Sequence, residues 1–175
     1  MQRTVEELVE AAGRGDIASF GLLYERYFRL AVSVTRARSA DSHLAEDAAQ
    51  EAFGIAFRTI NKLRDRRRFP QWLTTICRRT ASRLSNNRPI HETLHEAPES
   101  DRDSVDQGLR DHVQEALSRL DASAREIVVL HYFGKLTYEE IGEALQLSVP
   151  SIHGRLQRAR AKLAQLLDTY SNHGD

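Results

Sequence analysis

The stretch from Leu136 to Leu163, LTYEEIGEALQLSVPSIHGRLQRARAKL, decides how the rest of this chain is read. Thr137 followed three residues later by Glu140 is a capping box, in which hydroxyl and carboxylate each satisfy a backbone N–H left open at a helix start. It opens a short helix that runs through Leu145. Gln146 and Leu147 make a tight turn, and Ser148 caps a second helix whose apolar stripe is Ile152, Leu156, Ala159 and Leu163. A short helix, a turn of about three or four residues and a longer helix loaded with arginine make a helix-turn-helix. Its first helix braces the second, whose N-terminal half fits the major groove of DNA. Ser151, His153, Arg155 and Arg158 lie off the stripe and, with the capping Ser148, are the candidate DNA contacts. The alternative is an αα-hairpin with an ordinary solvated face.

Working outward, the same helical period continues in both directions. Phe20, Leu23, Tyr24, Tyr27, Ala31 and Val34 make one apolar face, Phe53, Ala56, Phe57 and Ile60 a second, and Phe69, Trp72, Leu73 and Ile76 a third. Pro70 belongs in a first turn, where its missing N–H is harmless, so a helix begins near Phe69. Trp72 and Cys77 fall at core spacing, which argues against a stacking platform and a redox switch. Beyond the linker, Val113, Ala116, Leu117, Leu120, Ile127 and Leu130 resume the pattern. No segment alternates with β-branched enrichment, so no strand is expected. The fold class is all-α: two small helical domains, residues 1–88 and 107–175, joined by residues 89–106. That connecting stretch holds Pro89, Pro98 and the run Glu99-Ser100-Asp101-Arg102-Asp103, and it reads as a flexible acidic linker.

The 25 basic and 25 acidic side chains cancel over the 175 residues, and bulk charge alone implies neither a nucleic-acid nor a membrane partner. The blocks say otherwise. Residues 58–83 carry nine basic side chains against Asp65, residues 92–106 six acidic against Arg102, and residues 152–163 four basic and none acidic. Two cationic patches among acidic neighbours suit a chain that meets a polyanion with two separate surfaces, although each block alone is equally a solvated face.

Other chemistries are weaker. No run of 18 apolar residues offers a membrane span. The N-terminus lacks the apolar core of a signal peptide, so a cytoplasmic location is expected. The single cysteine, Cys77, makes no internal disulfide and no cysteine-rich zinc site. His91-Glu92-Thr93-Leu94-His95 matches HExxH, the zinc-hydrolase pattern. It is caught between two prolines in the least apolar stretch, without the rigid helix or third ligand that a catalytic zinc needs. No metal, no cofactor and no catalytic residue is expected, so the chain is not read as an enzyme.

The motifs together resemble a bacterial RNA polymerase sigma factor of the extracytoplasmic-function type, in the sigma-70 family, over roughly Gly15–Arg88 and Leu109–Leu167. Ala45–Phe53, AEDAAQEAF, looks like the family's AED-x-x-Q-E-x-F, flanked by GDIASFGLLYERY and RRFPQWLTTICRRTASRL. The resemblance implies that this helix docks on the β′ clamp helices of core polymerase through Asp47, Gln50 and Glu51, with Phe53 inside. It makes the block from Asn61 to Leu84 the part that melts and holds the minus-ten element. Melted DNA needs cations for phosphates and a pocket for an unstacked base. Arg64, Arg66, Arg67, Arg68, Arg78, Arg79 and Arg83 supply the first. The family's Asn and Asp are missing from Arg79-Thr80-Ala81-Ser82.

SVPSIHGRLQRA, Ser148–Ala159, resembles the minus-thirty-five reader S-x-G-T-V-K-S-R-L-x-R-A. His153 and Gly154 stand for lysine and serine, and Gln146 for a turn glycine, so Arg155 and Arg158 are the stronger contacts. The partners implied are core polymerase, at the β′ clamp helices and the β flap, promoter DNA, and an anti-sigma protein. The acidic linker would thread toward the polymerase active-site cleft. The rival reading is a helix-turn-helix regulator that binds DNA without polymerase, and a more distant one is the zinc hydrolase.

Overall fold

Every regular element among the described residues (3–38, 42–86 and 104–171) of the computed structural model is helical. The first four helices are α1 (Val5–Gly13), α2 (Ile17–Arg38), α3 (Ser42–Thr59) and α4 (Phe69–Asn86), and the second four are α5 (Ser104–Ser118), α6 (Ala122–Tyr132), α7 (Tyr138–Leu145) and α8 (Val149–Ser171). Two 3-10 turns, Ile60–Lys62 and Arg66–Arg68, lead from α3 into α4.

Helix α1 has no counterpart in the sequence reading, yet its signal is present. Thr4 Oγ1 accepts from the Glu7 N–H and Glu7 returns a carboxylate oxygen to the Thr4 N–H at 2.8 Å, a second capping box. Leu8, Val9, Ala11 and Ala12 then bury one face. Along α3, Ala45, Ala48, Ala49, Ala52 and Ala56 are wholly buried. With no bulk beyond Cβ on that stripe, α2 and α4 pack closely on it, and Thr35 on α2 donates its hydroxyl to the Ala45 carbonyl at 2.7 Å. Phe53 is buried among Phe20, Tyr24 and Phe28 at ring separations of 6.2, 4.8 and 6.3 Å. Helix α4 begins at Phe69 as the proline position predicts, with Phe69, Leu73 and Cys77 inside and Trp72 half-buried at 5.9 Å from the Phe69 ring. Burial pushes the Cys77 thiol up to about 12.

In the second group, Ala116, Leu120, Ile127, Leu130, Ile152, Leu156 and Ala159 form the core. Arg125 closes the α5–α6 corner by donating to the carbonyls of Leu117, Ser118 and Leu120, at and just beyond the end of α5. Helix α5 starts at Ser104, inside the stretch 89–106 expected to be linker. Serine and aspartate are residue types that favour a helix N-terminus, and Ser104 and Asp106 supply both. Residues 87–103, with the HExxH pattern at His91–His95, lie outside the described residues.

The two groups are packed on each other. Helix α6 lies against α2 and α7 against α4. A Cβ placed on Gly134 would come within 3.3 Å of Leu30 Cδ1 across that seam. Glu126 of α6, only 4% exposed, accepts from Arg38 of α2 at 3.2 Å and from Arg78 of α4 at 2.6 Å.

Candidate nucleic-acid interface

The turn that presents α8 is built as the sequence implies. Thr137 Oγ1 accepts from the Glu140 N–H, and Glu140 accepts from the Thr137 N–H at 2.8 Å. Gln146 ends α7 in the left-handed region, φ 56° and ψ 43°, where a glycine is the usual residue. The turn closes through the Leu147 N–H, which donates to Gly142 O at 2.9 Å. Ser148 caps α8 weakly, its Oγ 3.4 Å from the Ser151 nitrogen.

At about 3.6 residues per turn, Ser151, Arg155 and Arg158 fall on one flank of the α8 apolar stripe and His153 on the opposite one. Arg155 is half-buried and donates to Ser123 Oγ on α6, whereas Arg158 is exposed. Both line a cleft of about 290 Å³ with Leu120, Asp121, Ala124, Ala159 and Lys162. Lys162 was not among the sequence candidates, although its position four residues after Arg158 gives it the same flank. His153 is exposed and lies edge-on to Tyr138 at 5.9 Å. Ser148 is exposed and Ser151 half-buried.

The other cationic block divides three ways. Arg64, Arg66 and Arg79 are exposed and make no ion pair among the described residues. Arg67 pairs with Glu6 of α1 at 2.6 Å, and Arg83 pairs with Glu51 of α3. Arg68 pairs with Glu143 of α7, and Arg78 is held by Glu126 and by the carbonyl of Ala144. In the stretch where the family pattern is missing, Thr80 and Ala81 are buried and Ser82 is half-buried and accepts from Arg38, so Arg79 alone of the four is exposed.

On α3, Asp47 and Gln50 are exposed, while Glu51 is half-buried beside Arg83. Phe53 is inside, so this helix turns a polar face outward from a packed alanine and aromatic base. No helix of the described residues is long and apolar enough to cross a membrane, and those residues contain no group of three potential metal ligands.

Known proteins match along the same divisions. The family description "Sigma-70 region 2" covers residues 23–88 and "Sigma-70, region 4" covers residues 110–163. The RNA polymerase sigma factor NccH of Alcaligenes xylosoxydans xylosoxydans is 26% identical across 94% of this chain and 95% of its own. The ECF RNA polymerase sigma factor SigW of Bacillus subtilis (strain 168) is 26% identical across 95% and 98%. Among solved structures, CnrH in complex with the cytosolic domain of CnrY superposes with a TM-score of 0.67 at 27% identity, covering 94% of this chain and 97% of that one. Two helical groups, each matched to its own part of one family in the same chain order, leave a single assignment: the chain belongs to the sigma-70 family of RNA polymerase sigma factors, in its extracytoplasmic-function group.

Proposed function

We propose that this chain is the promoter-specificity subunit of RNA polymerase, that it works in the cytoplasm, and that it carries out no catalysis of its own. The observation behind this reading is the pairing of a helix-turn-helix at α7–α8 with a separate helical group bearing the polar α3 face and a basic α4. A regulator that only binds duplex DNA has use for the first and none for the second. Helix α3 contacts the β′ clamp helices of core polymerase through Asp47, Gln50 and Glu51, and the second group contacts the β flap. Arg64, Arg66, Arg67, Arg68, Arg78, Arg79 and Arg83 neutralise the phosphates of the melted minus-ten strand. Such contacts supply affinity that falls steeply with salt. Ser148, Ser151, His153, Arg155 and Arg158 face the minus-thirty-five duplex, where the major groove carries a distinct donor and acceptor pattern for each base pair. CnrH has been solved bound to the cytosolic domain of CnrY, and a protein partner, an anti-sigma protein, is expected here too.

The experiment is transcription in vitro with core polymerase, this chain and fragmented genomic DNA, followed by sequencing of transcript 5′ ends. A sigma factor yields starts preceded by shared minus-ten and minus-thirty-five elements, absent without the chain. Binding of duplex DNA with no new starts and no co-purification with core polymerase would establish the regulator instead.

A further inference from the structure

Two of the arginines proposed above as minus-ten contacts, Arg68 and Arg78, are occupied by the second helical group. Arg78 sends Nε to Glu126 at 2.6 Å and Nη1 to the Ala144 carbonyl. Arg68 is taken by Glu143, and Gln71, in the first turn of α4, donates its amide to Glu140. The acceptors all come from α6 and α7, and the donors all come from α4 or the turn that leads into it. Carboxylates thus stand beside α4 where the phosphates of a bound strand would have to lie. Glu126 is the centre of this set, because it also receives Arg38 of α2 and is almost wholly buried. A buried carboxylate is tolerable only while its cations stay with it, and losing a partner leaves an uncompensated charge out of water. Separation of α6 and α7 from the first helical group therefore releases the whole set together.

We propose that the second helical group is an intramolecular competitor of promoter DNA, with Glu126 as the latch that holds the chain closed over Arg78 and Arg68. This rests on the reading of α4 as a DNA-binding surface. Arg64, Arg66 and Arg79 stay exposed in the closed chain, so a strand can touch the surface but engages it fully only after opening. The apparent affinity for single-stranded DNA is then the intrinsic affinity multiplied by the open fraction.

The test uses the full chain labelled for energy transfer at Glu25→Cys and Gln157→Cys, both exposed positions on opposite helical groups. Cys77 is buried, with its thiol pushed up to about 12, and escapes labelling. Both ion-pair partners of Glu126 belong to the first group, so Glu126→Lys leaves the ion pairs within the second group unchanged. Glu126→Lys and, from the other side of the seam, Arg38→Glu are each expected to lower energy transfer. Both should tighten binding of a short mixed-sequence single strand by about tenfold, the gain expected if about nine chains in ten are closed. The charge swap combining the two rebuilds the pair with position 38 but leaves Arg78 facing a lysine, so it should recover part of the transfer and part of the weaker binding relative to either single variant, which a folding defect would not do; circular dichroism checks that helix content is retained. Unchanged transfer in both single variants overturns the latch. Lowered transfer with wild-type DNA affinity overturns the masking. Lowered transfer in a chain that binds no single strand at all removes the DNA reading of α4, and the masking with it.

Discussion

Gln146 holds a backbone conformation, φ 56°, that costs an L side chain about 1–2 kcal/mol. Glycine carries no such cost but has more freedom to lose on folding, so Gln146→Gly should stabilise the chain by about 0.5–1 kcal/mol, measured by urea unfolding. A midpoint that does not rise would mean the turn tolerates glutamine without strain. Arg155 tests recognition at the same scale. In the free chain its guanidinium rests on Ser123 Oγ, so a base contact requires it to leave that hydroxyl. Arg155→Ala should then reduce discrimination between minus-thirty-five sequences by about 1–3 kcal/mol in competition binding. An equal loss on every sequence would instead mark a phosphate contact. Ser123→Ala, which removes the resting partner, should leave DNA binding at least as tight as before.

Helix α7 and helix α8 act as one element because their turn is closed from both sides. The Leu147 N–H reaches Gly142 O, and a Cβ on Gly142 would meet Leu147 O at 2.7 Å. Gly142→Ala should therefore push the turn open, costing about 1–3 kcal/mol and weakening duplex binding while sparing the first helical group. Thr137→Ala removes one half of the α7 capping box and should cost about 1 kcal/mol in thermal unfolding. In α3 the informative pair is Asp47→Ala with Gln50→Ala, since both side chains are exposed and neither makes an ion pair among the described residues. Glu51→Ala would also release Arg83 and so mix two effects. Normal co-purification of the Asp47/Gln50 variant with core polymerase would exclude α3 as the docking helix.

Across the whole molecule, two cationic surfaces should separate by the form of DNA they need. Salt weakens both through counterion release and cannot tell them apart. Strand form can. With core polymerase present, the face carrying Arg64, Arg66 and Arg79 should favour the non-template single strand, because its targets are unstacked bases. The α8 face should favour duplex. Loss of single-strand preference in an Arg64→Ala, Arg66→Ala, Arg79→Ala chain, with duplex binding retained, is the expected result. Equal loss of both would mean that one surface serves both forms.

Local pattern was enough to read most of the elements. The helical starts at Thr137 and Phe69, the α8 stripe from Ile152 to Leu163, and the core placement of Phe53 and Cys77 follow from capping chemistry and a period of about 3.6 residues, properties carried by neighbours in the chain. Even α1 was legible, through Thr4 and Glu7. The arginines were legible only as a charge count. Arg78 meets Glu126 across 48 residues and Arg68 meets Glu143 across 75, while Arg79, beside Arg78 in sequence, stays in water. Nothing local distinguishes those fates, because an ion pair depends on which helix faces come together. Periodicity therefore determined the helices and their inner faces. Only the packing of helix faces decided which charges are held and which are left exposed to solvent: α6 and α7 take Arg78 and Arg68, while α1 and α3 take Arg67 and Arg83.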